Sequence, residues 1–90
     1  MGNVIVKIKM MPESPDTNLS KVEEDAKKLL EENGARNIVF QQEPIAFGLK
    51  AVYASFIWPE DKELEELEGK FGNIEHVQSA ESVDIRRAIG

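Results

Sequence analysis

Glu43-Pro44-Ile45-Ala46-Phe47-Gly48-Leu49-Lys50-Ala51-Val52-Tyr53-Ala54-Ser55-Phe56-Ile57-Trp58 is the stretch on which the fold turns. Beyond Pro44 it is rich in β-formers and apolar on both parities, the pattern of a strand enclosed by neighbours, not one at a sheet edge. Val52, Ala54 and Phe56 share the parity expected to face the core, which leaves Phe47, Leu49, Tyr53 and Ser55 on the opposite face. Pro44 fixes the backbone on the way into a hairpin, and Gly48 permits close approach of another backbone beside the large apolar Phe47. The simplest role for that phenylalanine is to pack on its own sheet edge.

Upstream of this strand, Ala35 to Gln42 carries Ile38, Val39 and Phe40 in a second β-favouring run between Gly34 and Pro44. Before that the period changes to helical: Leu19, Val22, Ala26, Leu29 and Leu30 form one face of a helix predicted over 19–33. Ser20 and Glu23 have capping-box spacing, Asn18 competes as N-cap, and Asn33-Gly34 supplies a left-handed stop. Pro12 to Asn18 reads as a loop, because its two prolines lack the amide donor that a ladder or a helix interior requires. Residues 3–11 alternate, with Val4, Val6, Ile8 and Met10 on one face and Lys7 and Lys9 on the other.

Downstream, Pro59-Glu60-Asp61 is expected to open a second helix over about residues 60–71, with acid where the helix dipole favours it and Leu64, Leu67 and Phe71 as its apolar stripe. Residues 75–87 form a last strand of poor alternation: Val77 and Val83 share one parity, Ala80 and Ser82 the other, and the inward face stays open. The order strand, helix, strand, strand, helix, strand predicts an α+β, ferredoxin-like βαββαβ fold, a four-stranded antiparallel sheet with two helices on one face. The core is expected to include Val4, Val6, Ile8, Leu29, Val52, Ala54, Phe56 and Leu67. The helix-free face is expected to carry Lys7, Lys9, Leu49 and Tyr53.

Ninety residues make one domain over 1–90, and 11 Lys plus Arg against 17 Asp plus Glu give a formal charge of -6. That balance disfavours a phosphate-backbone binder and favours a basic or mixed-charge protein partner. With no cysteine, disulfides, thiolate metal sites and thiol nucleophiles are excluded, which fits a reducing cytosol. The opening Met1-Gly2-Asn3-Val4-Ile5-Val6 is broken by Lys7 and Lys9 and lacks the features of a signal peptide. No stretch approaches the roughly 18 apolar residues of a membrane-spanning helix.

His76 is the sole histidine, so paired-histidine metal sites are excluded and a solvated loop role is favoured. Glu60, Asp61, Glu63, Glu65, Glu66 and Glu68 wrap a helix instead of converging from a tight loop, which reads as a solvated face. Tyr53 is the one middle-strand aromatic on the open face, a poor platform for stacking RNA bases. Arg86-Arg87, beside Asp84 and close to Glu81, is either a salt-bridged tail or a pair of forked cations for a partner.

The segments Met1-Gly2-Asn3-Val4 with Met11-Pro12-Glu13-Ser14-Pro15, Glu43-Pro44-Ile45-Ala46-Phe47-Gly48-Leu49, and Val83-Asp84-Ile85-Arg86-Arg87 together resemble the archaeal translation elongation factor 1-beta family. The resemblance spans almost the whole chain and extends to the C-terminal domain of the eukaryotic beta subunit. It implies a cytoplasmic guanine-nucleotide exchange factor for elongation factor 1-alpha, with no cofactor, no covalent chemistry, and no direct nucleic-acid or membrane contact. By the same resemblance Phe47 is set against the GTPase near its nucleotide site, with Pro44, Ile45 and Gly48 shaping the contact. Arg86 and Arg87 are the candidate tail cations. Eukaryotic relatives end in a lysine that enters the magnesium site, and aligning Ser82-Val83-Asp84-Ile85 puts Gly90 there instead. The alternative is a ferredoxin-like small-ligand or RNA-binding module, which rests on fold alone.

Overall fold

A computed structural model describes residues 2–87 and gives the order β1 (Asn3–Pro12), α1 (Leu19–Glu32), β2 (Arg36–Pro44), β3 (Lys50–Pro59), α2 (Glu65–Gly72) and β4 (Val77–Arg87), with a single 3-10 turn at Ala46–Gly48 between β2 and β3. The four strands form one antiparallel sheet in the order β2-β3-β1-β4, so the βαββαβ chain adopts the ferredoxin-like arrangement. β3 and β1 are central, which is why their sequences are the most apolar. Gly90, and with it the comparison to the eukaryotic lysine, lies outside the described residues.

Register explains the core. Val6 faces Phe56, Ile8 faces Ala54 and Met10 faces Val52 across β1 and β3. All six are buried, and the helices close over them with Val22, Ala26 and Leu30 from α1 and Leu67 and Phe71 from α2. Of the expected core, Val4 and Leu29 are half-buried at its rim, and Trp58 joins it, meeting Phe56 edge to face at 5.9 Å. Such pairs add about 0.5–1.5 kcal/mol beyond area burial.

Helix α1 is capped by Asn18, whose side chain accepts from the Lys21 amide, so the Ser20–Glu23 spacing is not the cap. Gly34, at φ 87°, ends it: the Ala35 amide reaches back to the Leu30 carbonyl at 2.9 Å, closing the helix end. Helix α2 starts at Glu65, later than Pro59-Glu60-Asp61 suggests. The reason lies in the backbone: the Glu60 amide donates to Gly2 at 3.0 Å, and the Lys62 carbonyl accepts from the Trp58 indole at 3.1 Å. The first bond extends the central β1–β3 ladder past Pro59 and the second braces the tryptophan, so the chain is still tied to β1 at Glu60 and the Lys62 carbonyl is committed before a helical turn can use it.

β4 resolves its own ambiguous alternation with two extra residues. Pro12 faces Val77 while Met11 faces Ser79, and Ile8 faces Ser82 while Lys7 faces Asp84, leaving Gln78 and Val83 unmatched. Each bulge resets the parity. Val77, Ala80, Ser82 and Ile85 therefore all point to the helix side, although a strict period of two divides them.

Candidate functional site

The β2–β3 hairpin ends in a turn that its sequence alone does not favour. Phe47 has φ 62° and ψ 30°, Gly48 has φ 76°, and the Leu49 amide donates to the Ala46 carbonyl at 3.2 Å. Positive φ at both central positions is the requirement of a type I′ turn, in which Asn-Gly is the favoured pair. A phenylalanine in the left-handed region costs about 1–2 kcal/mol relative to the right-handed one. The ring recovers nothing from packing, since Phe47 is 92% exposed. It therefore stands at the hairpin tip, neither on the sheet face that its parity suggested nor packed against its own sheet edge.

The residues around it fix the ring's position. Pro44 is the last residue of β2 and pairs with Lys50, and the Ile45 amide donates to the Leu49 carbonyl at 2.8 Å. A Cβ added to Gly48 would lie 3.9 Å from Pro15 Cβ, so the tip rests beside the β1–α1 loop. That loop is braced by the Thr17 amide donating to the Ser14 carbonyl at 3.2 Å. Pro12, Pro15, Leu19, Gly48 and Lys50 line a cleft of about 240 Å³ between the two loops.

Arg86 and Arg87 lie elsewhere. Arg86 faces Ile5 and Arg87 faces Val4, whereas Pro12, eight residues further along β1, is level with the hairpin. At about 3.3 Å per residue the two groups are separated by about 26 Å, at opposite ends of the sheet. Phe47, Pro44, Ile45 and Gly48 come together; the arginines do not join them. Arg86 pairs with Asp84 at 2.8 Å and Arg87 with Glu60 at 3.1 Å. The second partner is not Glu81, which faces Lys9 across the ladder.

The sequence profile described as the EF-1 guanine nucleotide exchange domain matches residues 5–88. The chain is 41% identical over 87 residues to the elongation factor 1-beta of Sulfolobus acidocaldarius, covering 94% of this chain and 96% of that one. It is 38% identical over 90 residues to the elongation factor 1-beta of Methanocaldococcus jannaschii, covering 98% and 100%. A similar 38% over 87 residues relates it to the Methanococcus maripaludis protein of the same name, covering 94% and 97%. The chain belongs to this family of elongation factor 1 guanine-nucleotide exchange domains.

For a member of an exchange family, the open face of the sheet is informative. Lys7 faces Asp84 and Lys9 faces Glu81, so both cations stand opposite acids, and the Lys7 ammonium lies 4.7 Å over the Tyr53 ring. The single aromatic suited to base stacking is thus covered by a lysine. Among the described residues no cluster of His, Asp and Glu is arranged to hold a metal ion, and no helix is long and apolar enough to cross a membrane. His76, expected in a solvated loop, is an exposed residue of the turn before β4, at φ 70° between Glu13 and Glu75. Histidine, with Asn and Asp, is among the non-glycine residues that adopt this region most often.

Proposed function

We propose that the chain accelerates GDP release from elongation factor 1-alpha and that Phe47 is the principal contact with that GTPase, acting in the cytoplasm. The observation that carries this reading is an exposed aromatic ring on a left-handed backbone, where Asn or Gly would hold the same turn at lower cost. Strained residues persist where function needs them. The backbone that carries the ring is already held by the turn, so it loses little entropy on docking. Elongation factor 1-beta is the name carried by the relatives, and their exchange role supplies the partner.

Exchange requires no bond chemistry from these residues. A protein that binds the nucleotide-free GTPase more tightly than the GDP-bound form must weaken GDP affinity by the same factor. Pro44, Ile45 and Gly48 shape the tip, and Arg86 and Arg87 form a separate contact at the other end of the sheet. Because of the separation along β1, a single nucleotide pocket does not receive both groups, and the chain contacts its partner along its length. Stopped-flow release of a fluorescent GDP from elongation factor 1-alpha, with and without the chain, tests the reading. Acceleration that Phe47→Asn reduces by about tenfold or more supports it; no acceleration by the unaltered chain rejects it.

A further inference from the structure

The side chain of an asparagine can be attacked by the backbone nitrogen of the residue that follows it, and the size of that residue sets how readily. Val4, Leu19, Ile38 and Ile74 follow Asn3, Asn18, Asn37 and Asn73, so a branched side chain crowds the nitrogen in each case. Asn33 alone precedes a glycine, Gly34, where no Cβ stands in the way. Asn33 is half-buried and Gly34 exposed, so water and hydroxide reach the pair.

The fold holds that pair in a geometry that does not react. At Asn33 ψ is 6°, which eclipses the Gly34 nitrogen with the Asn33 nitrogen and turns it away from Cβ, the atom that carries the side-chain carbonyl carbon Cγ. Asn33 Nδ2 donates to the Leu29 carbonyl at 2.7 Å, and the Gly34 amide donates to the Glu31 carbonyl at 3.2 Å. Leaving group and nucleophile are thus both engaged in closing the end of α1. Two cations from elsewhere in the chain hold the same residue: the Lys62 ammonium donates to the Asn33 carbonyl, and the Lys70 ammonium donates to Oδ1 at 3.3 Å. Lys62 lies in the β3–α2 connection and Lys70 in the last turn of α2, so the end of α1 opens only against both.

We propose that Asn33 is a site of spontaneous deamidation, and that the clamp formed by Lys62 and Lys70 keeps it closed while the chain is folded. When the end of α1 opens, hydroxide takes the Gly34 amide proton and the nitrogen attacks Asn33 Cγ. The new N–C bond forms as the Cγ–Nδ2 bond breaks, and Nδ2 leaves as ammonia after taking a proton from water, which leaves a cyclic imide. Water then opens the ring at either carbonyl, to aspartate or to isoaspartate. Both products lose the donor to Leu29. Isoaspartate also routes the backbone through the former side chain, which displaces Gly34 from the left-handed position that stops the helix. Refolding does not reverse the change, so each event removes the cap permanently.

The test incubates the full chain in mildly alkaline buffer, folded and unfolded in guanidinium chloride, and follows acid formation at every asparagine by peptide mapping and mass spectrometry. The unfolded chain is expected to convert Asn33 ahead of the other asparagines. The folded chain is expected to convert it about tenfold more slowly or less, since the reaction waits on local opening. Lys62→Met combined with Lys70→Met should speed conversion several-fold in the folded chain and leave the unfolded rate unchanged, with melting temperatures measured alongside. Ile8→Val, which loosens the core away from the clamp, should leave the folded rate unaltered. Equal rates in the folded and unfolded chain overturn the inference, as does a paired lysine variant that reacts no faster than the unaltered fold. Equal acceleration by Ile8→Val gives the protection to the fold as a whole and overturns it too, and earlier conversion at another asparagine overturns the choice of site.

Discussion

Lys62 holds Trp58 twice: its carbonyl accepts the indole N–H at 3.1 Å, and its ammonium lies 4.8 Å over the ring. The same ammonium donates to the Asn33 carbonyl at the end of α1, so one side chain ties the β3–α2 connection to the first helix. A cation at a helix C-terminus and a cation over an indole are each worth a fraction of a kcal/mol to about 1 kcal/mol.

Lys62→Met keeps the backbone acceptor and the aliphatic stem but removes the charge. It is expected to lower stability by about 1–2 kcal/mol, as the sum of those two contributions, and to leave exchange unaltered. Denaturant melts beside GDP-release rates check it.

Phe47→Asn is expected to raise stability by about 1 kcal/mol, because it relieves a left-handed aromatic that is hardly packed. Exchange should fall by about tenfold or more as the interface loses its anchor. A gain in stability accompanied by full exchange activity would return Phe47 to an incidental surface role.

Replacing Arg86 and Arg87 together with Gln breaks two exposed pairs, to Asp84 and Glu60, so stability should move by no more than about 1 kcal/mol. The catalysed release rate is expected to drop more than that figure would suggest. Equal rates in the variant would leave the arginines as tail pairs only.

Phe71→Ala empties a fully buried site between α2 and the sheet and is expected to cost about 3–5 kcal/mol. Ile85→Thr, on the same side of β4 but 55% exposed, should cost far less. Urea midpoints for the pair separate position from chemistry.

The β3 sequence was legible because a central strand must be apolar, and its Val52, Ala54 and Phe56 parity follows from side-chain alternation alone. The helical stripe of α1 was equally plain. What escaped was set by non-local backbone partners. The start of α2 depends on Gly2 and Trp58 claiming the groups of Glu60 and Lys62, and the face of β4 depends on where β1 leaves Gln78 and Val83 unmatched. At the site, Phe47 was legible as a residue to watch, yet its left-handed backbone ran against its own propensity. His76 was legible as a solvated loop residue, but its contacts with Glu13 were not, because they depend on where the β1–α1 loop meets the start of β4.

The unmatched residues of β4 also decide how the molecule behaves in a crowd of its own copies. A sheet with free borders invites further strands, and flat, regular borders polymerise most readily. Here one border is kinked at Gln78 and Val83, and the other carries an extra residue between Arg36 and Val39 and finishes at Pro44. Neither rim offers a long uninterrupted row of amides and carbonyls, so the sheet stops at four strands.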